Sequence, residues 1–260
     1  MSNTDSYTPP KVWQWDAENG GEWAKTNRPV AGATHEQDLP VGKHALQLYS
    51  LATPNGQKVA IALEEMGLPY EAHTVNILKG DQFSDDFIKI NPNSKIPALV
   101  DPQGSNNQPL FIMESGAILM YLAEKSGQFL PQDPAGKSRC LQWLFFQMGG
   151  VGPMFGQFGH FYIYAKDKCD HPYPLQRYAQ ETKRLLSVLE KQLGENSFIA
   201  GSDYTIADMA IAPWVHCLSH FYKADIILDL DKYTAVQSWL KRFLSRPAVQ
   251  KGMKVCHLEF

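Results

Sequence analysis

The sequence predicts two domains, a small α/β domain followed by an all-helical one, and three observations carry that expectation. Residues 45–125 alternate short strand-like runs with helical patterns, residues 138–255 read as helix broken only by Gly/Pro clusters, and a Pro/Gly-containing stretch separates the two. A chain of 260 residues is long enough for one large domain or two modest ones, at roughly 150 residues each.

The first domain begins with Leu46-Gln47-Leu48-Tyr49, a short β run, and then the turn chemistry of Thr53-Pro54-Asn55-Gly56. A helix follows with Val59, Leu63 and Met66 on one face, and Gly67-Leu68-Pro69 stops it. Tyr70 to Val75 reads as a second strand, so β-α-β is formed with a crossover long enough for a parallel pair. Asp85 to Ile90 is a short helix. Ala98–Val100 and Leu110–Ile112 are strands of a hairpin joined by the polar loop Pro102 to Gln108. A closing helix from Ser115 to Lys125 places Ile118, Tyr121 and Leu122 on one face. The order β-α-β-α-β-β-α is that of a thioredoxin-like domain. Ser126 to Gly136 reads as the connection, which gives an extension over 1–44, the α/β domain over 45–125, a linker over 126–137 and a helical-bundle domain over 138–260. In the latter, Gln142 to Met148 and Leu175 to Leu193 are bundle helices. Thr205 and Asp208 have the N-cap and N3 spacing of a capping box, a structural role for the acid.

Composition narrows the function classes. Lys+Arg 24 against Asp+Glu 27, a net charge of −3 with no basic cluster, argues against nucleic acid and against a polybasic membrane surface. No apolar run approaches the roughly 18 residues of a membrane span. The N-terminal stretch lacks the charged and apolar regions of a secretory leader, so a cytoplasmic protein is expected. The four cysteines, Cys140, Cys169, Cys217 and Cys256, show no C-x-x-C and no metal spacing, so no metal site is expected. They read as reduced thiols, with Cys140, Cys217 and Cys256 as buried spectators. Half of the six tryptophans, Trp13, Trp15 and Trp23, lie in the extension, which is therefore expected to dock through its indoles.

The chemistry is expected at the first strand–helix junction. A thioredoxin-like redox protein needs a cysteine there, activated by the helix N-terminus. Here the junction reads Thr53-Pro54-Asn55-Gly56 and the first cysteine of the chain is Cys140, so a thiol must arrive with a ligand. Lys95-Ile96-Pro97-Ala98 precedes the third strand, where a cis proline would leave the Ile96 backbone free to pair with an extended peptide. Glu114-Ser115 stands immediately before a helix, a place for a carboxylate at the N–H groups and an ammonium at the Glu side chain. A ligand with a thiol, an amide backbone and an amino-acid end describes glutathione.

With those residues in view the sequence resembles the glutathione transferase superfamily, through Lys95-Ile96-Pro97, Glu114-Ser115-Gly116 and Tyr204-Thr205-Ile206-Ala207-Asp208. More narrowly it is similar to the bacterial nu class, through Thr53–Gly56, Asp81-Gln82-Phe83, Asn91–Ala98 and Leu144–Gln147, with Lys11-Val12-Trp13 and Asn27-Arg28-Pro29 in the extension. The resemblance implies a glutathione-dependent disulfide reductase with organic hydroperoxide reductase side activity, two glutathione molecules per site and a homodimer. It implies that Thr53 and Asn55 contact the glutathione sulfur, with Pro54 in the same turn. Gln82, Lys95, Ile96, Pro97, Glu114 and Ser115 would hold the first tripeptide, and Gln147, Arg177 and Asn27 would help hold the second. Two other functions stay open: conjugation of glutathione to small electrophiles, and a non-catalytic interaction module on the same fold. Tyr49, where many relatives use a tyrosine, reads here as a packing residue. The aromatic stretch Phe155 to Tyr164 fits a second-substrate pocket and a core or dimer contact equally well.

Overall fold

In the computed structural model, which describes residues 8–15, 25–104 and 107–258, the α/β domain is built as the sequence predicts. Strands β1 (Leu46–Ser50), β2 (Tyr70–Thr74), β3 (Ala98–Asp101) and β4 (Leu110–Met113) form one sheet in the order β2-β1-β3-β4. β1 pairs parallel with β2 and antiparallel with β3, and β3 with β4 makes the hairpin. Helices α1 (Pro54–Met66), α2 (Asp85–Ile90) and α3 (Ser115–Ser126) complete the unit. The two-residue period of the strands sorts the core. Leu48 and its β3 partner Leu99 face α1 and α3, joining Val59, Leu63, Ile118 and Leu122, while Tyr49 and its partner Ala98 face Phe87 and Ile90 of α2.

α1 stops at Gly67, whose left-handed φ of 63° closes the helix, as the Gly-Leu-Pro signal requires. Its start is equally specified. Thr53 caps it, Pro54 opens it, and a Cβ on Gly56 would stand 1.9 Å from the Leu51 carbonyl oxygen. Only glycine fits that approach of turn to strand.

The connection is shorter than composition suggests. α3 ends at Ser126, and Pro134, capped by Asp133, already opens α4 (Pro134–Phe146). From there the chain does not break at its glycines. α4 runs through a π turn at Gln147–Val151 into α5 (Gly152–Gly159) and a second π turn at His160–Tyr164, one continuous rod. The Gly152 N–H bonds the Gln147 carbonyl and the Ala165 N–H bonds that of His160, each five residues back. α6 (Pro172–Glu195), α7 (Ile206–His220), α8 (Asp225–Leu228), α9 (Thr234–Leu244) and α10 (Pro247–Gly252) complete the helical domain. The hydrophobic core continues without interruption from α1 and α3 into α7.

Asp208 has the structural role expected of it. It accepts from Thr205 N at 3.0 Å, Ile199 N at 3.0 Å and Trp239 Nε1 at 2.8 Å, and Thr205 caps Ala207 N. Arg246, at the head of α10, grips Glu65 of α1 through two bonds of 2.6 and 2.8 Å and lies 4.0 Å over the Tyr204 ring. These contacts fasten the end of the chain to α1.

The extension docks by its backbone rather than its indoles. Thr34 N bonds Phe83 O, Asp85 N bonds His35 O, and Gln37 N and Leu39 N bond the carboxylates of Asp85 and Asp86. Trp13 and Trp15 remain 66% and 48% exposed, and Trp23 lies outside the described residues. Indoles need apolar surface to bury against; unpaired N–H groups beside two carboxylates found partners first. All four cysteines are free; Cys140 and Cys217 are buried, whereas Cys256 is only half-buried. Burial pushes the Cys217 thiol up to about 12 and raises those of Cys140 and Cys256, which makes all three poor nucleophiles. No helix among the described residues is long and apolar enough to cross a membrane.

Candidate active site

The site is assembled at the heads of α1 and α3. Thr53 sits in extended backbone as the α1 N-cap, its hydroxyl oxygen accepting from Gly56 N at 3.4 Å. A hydroxyl that accepts there still has its own hydrogen to give. Asn55, on the first turn, has its Oδ1 held by Trp214 Nε1 of α7 at 3.0 Å. An indole nitrogen can only donate, so this bond fixes which end of the Asn55 amide is oxygen and leaves the NH2 as the group able to donate. Thr53, Pro54 and Asn55 are all half-buried.

One turn further along α1 stands Lys58, fully buried. Its Nζ donates to Gln147 Oε1 at 2.7 Å and to Ser115 Oγ at 3.2 Å, and lies 3.8 Å from Met148 Sδ. Burial lowers its pKa to about 7, with Glu114 pulling the other way. Ser115 is buried at the start of α3, directly after Glu114, an exposed residue held at φ 68°. That left-handed backbone, costly for a side-chain-bearing residue, sets the carboxylate beside the helix N-terminus. The Ile96–Pro97 bond is cis and leads into β3, with Pro97 buried and Ile96 half-buried.

The structure therefore links the Thr53 turn, Ser115 and Gln147 through Lys58. It links Asn27 and Lys95 as a second group, Lys95 Nζ donating to the Asn27 side chain and to Thr26 O at 3.0 Å. Two of the expected residues are held by their own neighbours. Gln82 is buried with Nε2 on Ile77 O at 3.2 Å and its Oε1 without a partner. Arg177 is exposed on α6 and pairs with Glu181 at 3.7 Å. Tyr49 is buried with its hydroxyl donated to Pro40 O at 2.8 Å, which is the packing role. The aromatic stretch divides. Phe155 and Phe158 belong to the core, while Phe161, stacked on Tyr178 at 5.6 Å, and Tyr162 line a hollow with Lys166, Cys169 and Leu175.

Lys58 and Trp214 are the two site residues that sequence reasoning missed. Lys58 did leave a trace, a lone cation followed by the apolar run Val59 to Leu63. Trp214 left none.

A thioredoxin-like domain whose first helix begins with a hydroxyl and an oriented amide in place of a cysteine, closed by a helical domain on that same helix, is the design of a glutathione transferase. Residues 52–125 match the family model for the glutathione S-transferase N-terminal domain and residues 157–247 that for the C-terminal domain. The chain belongs to the glutathione S-transferase family. Among its relatives is the disulfide-bond oxidoreductase YghU of Escherichia coli K12, 52% identical over 95% of this chain and 88% of that one. The disulfide-bond oxidoreductase YfcG of the same organism is 44% identical over 80% of this chain and 94% of that one. A crystal structure of glutathione transferase YghU from Streptococcus pneumoniae, complexed with glutathione, superposes with a TM-score of 0.91 at 45% identity, covering 98% of this chain and all of that one. A glutathione transferase family member from Pseudomonas fluorescens, with two glutathione bound, gives 0.80 at 51% identity over 82% and 93% of the two chains.

Proposed function

We propose that this protein is a glutathione-dependent disulfide-bond reductase of the nu class, with organic hydroperoxide reduction as a side activity. The observation that carries the reading is the α1 turn. The Thr53 hydroxyl hydrogen and the amide NH2 of Asn55, whose Oδ1 is taken by Trp214, are both donors at a helix N-terminus where the chain has no cysteine. The glutathione thiol supplies the missing sulfur. Lowering a thiol pKa from about 8.5 to about 6.5–7 requires about 2–3 kcal/mol. Hydrogen bonds to a charged partner contribute about 1.5–3 kcal/mol each, so two donors suffice without a nearby cation.

In the proposed sequence the bound thiolate attacks one sulfur of the substrate disulfide, forming a glutathione mixed disulfide and releasing a thiolate. A second bound glutathione attacks the glutathione sulfur of that mixed disulfide, releasing the other substrate thiolate and leaving oxidised glutathione. Two thiols are oxidised and one disulfide is reduced. With a hydroperoxide the thiolate attacks oxygen, the alcohol leaves, and the second thiol converts the resulting sulfenic acid to the same product and water. Holding both thiols in one cleft replaces a second encounter with a positioned step.

Gln82, Lys95, the Ile96 backbone beside cis Pro97, Glu114 and Ser115 are assigned to the first tripeptide, and Gln147, Arg177 and Asn27 to the second. The relatives named as disulfide-bond oxidoreductases, and the neighbour with two glutathione bound, support this reading over conjugation, which needs one glutathione and an electrophile pocket. The test is glutathione-dependent reduction of a small soluble disulfide by the wild type and by Thr53→Ala. Turnover that falls sharply in the variant supports the ligand-thiolate mechanism. Tight glutathione binding with no turnover sinks the reductase reading.

A further inference from the structure

Among the described lysines only Lys58 is fully buried, and no described carboxylate stands within ion-pair distance of it. Its partners are a hydroxyl, an amide oxygen and a thioether, all neutral. A buried cation left without a counter-charge is costly, and an arriving anion relieves that cost. The hydrogen-bond chemistry gives the direction. An ammonium cannot accept, so Ser115 Oγ takes the bond from Lys58 and gives its own hydrogen to Met148 Sδ at 3.8 Å, a weak acceptor that an arriving carboxylate would displace. Ser115 opens α3, where backbone N–H groups lack intrahelical partners. Glu114, exposed, immediately precedes Ser115 in the chain and exerts a coulombic pull on Lys58. A buried positive charge and an exposed negative one thus flank Ser115, the charge complement of an α-amino-acid zwitterion.

We infer that Lys58 is a positioning residue which acts through Ser115 to hold the α-carboxylate of the ligand's amino-acid end, the γ-glutamyl end of glutathione. The inference rests on the glutathione reading above and adds to it the source of the carboxylate's counter-charge. Lys58 does not touch the ligand. It orients the Ser115 hydroxyl and supplies the positive field behind it.

The charged groups around Lys58 are few. Glu114, at the head of α3, faces it. From the helical rod come Gln147 and Met148, both neutral. On α10 and its head, Lys251 and Arg246 are engaged by Glu64 and Glu65 further along α1. On α7, His216 is kept neutral by burial, with His220 and Lys223 adding to the effect, at a pKa of about 4. An anion at Ser115 therefore stabilises the charged form of Lys58 and draws a proton onto it just above neutral pH.

The test uses S-methylglutathione, which has no ionisable thiol, and the same peptide with 4-aminobutanoyl in place of γ-glutamyl, which lacks only the α-carboxylate. Both are titrated calorimetrically into wild type and Lys58→Met. Wild type is expected to prefer the carboxylate-bearing peptide by about tenfold or more, the worth of one hydrogen bond to a charged group. Lys58→Met loses most of that preference while binding the decarboxylated peptide as the wild type does. Just above neutral pH, wild type takes up a fraction of a proton on binding S-methylglutathione, read from the dependence of the heat on buffer ionisation, and the variant takes up none. Equal preference in both proteins, or no proton uptake by the wild type, overturns the role of Lys58 and leaves glutathione binding standing. Failure of the wild type to bind either peptide or glutathione overturns both readings. If Lys58→Met does not fold, Lys58→Gln takes its place in both titrations, and absence of proton uptake by the wild type still overturns the role of Lys58.

Discussion

Removing the indole N–H of Trp214 while keeping its aromatic bulk measures what the aiming of Asn55 contributes. The indole sits against the glycine face of α5, where a Cβ on Gly152 or Gly156 would come within 3.3 Å of it. In Trp214→Phe that face stays covered, but the 3.0 Å bond to Asn55 Oδ1 is lost. A neutral hydrogen bond contributes about 0.5–1.5 kcal/mol net, and an unheld amide can turn its oxygen toward the thiolate. Transferred to the barrier, this lowers kcat/KM for disulfide reduction about 2- to 12-fold. The decisive measurement is the cycle of wild type, Trp214→Phe, Asn55→Ala and the double variant, each assayed for kcat/KM with one small disulfide. With Asn55 gone, the indole N–H has nothing to orient, so Trp214→Phe should cost nothing further and the coupling energy should be about 1 kcal/mol. Additive losses in the double variant would refute the reasoning.

Thr53→Asp separates capping from catalysis: aspartate caps as well as threonine, so thermal stability should hold, but it cannot donate once ionised and repels a thiolate. The pKa of bound glutathione, read from thiolate absorbance, should then rise by at least about one unit. Gly56→Ala drives a Cβ to 1.9 Å from Leu51 O, and denaturant unfolding should show a loss of about 2 kcal/mol or more. Arg246→Ala strands the buried Glu65 carboxylate and uncovers Tyr204; the half-exposed arginine discounts the penalty to about 2 kcal/mol, visible as a lower denaturant midpoint. For buried Asp101, desolvation raises the pKa, but bonds from Lys125, Tyr121 and Gln103 N outweigh it and hold the carboxyl below its usual range. Its contribution to stability is therefore full above about pH 4 and lost as pH falls through the lowered value, and Asp101→Asn should flatten the acid limb of a thermal-midpoint profile.

What could be read from sequence was local. The strand and helix order of the α/β domain, the cis bond at Pro97 and the Thr205–Asp208 box each lie within a few residues of their own signal. So does the start of α4, whose Asp133-Pro134 is an N-cap followed by the favoured first helical residue. The density of proline and glycine around it pointed instead to a linker. Gly149, Gly150 and Gly152 misled in the same way, since glycine weakens a helix but does not end one that tertiary packing holds. Lys58 and Trp214 were beyond local reading. Lysine in a helix is ordinarily solvated, and it is Gln147, 89 residues on, that makes this one an interior group. Trp214 meets Asn55 across 159 residues, through a fold that brings α7 onto α1.

The π turn at Gln147–Val151 gives this stretch an unusual intolerance of changes in length. A π turn is a helix carrying one residue more than its α ladder needs. Deleting any one of Gly149, Gly150 or Val151 would let the ladder close as an ordinary α-helix, with every backbone bond still made. The rod would survive, but each residue beyond the deletion would turn by about 100° relative to α4. Gln147 would keep its place against Lys58 while the glycine face of Gly152 and Gly156 swung away from Trp214, leaving Asn55 without its indole. A glycine-rich run, elsewhere the most forgiving place to lose a residue, here keeps the two halves of the site in phase.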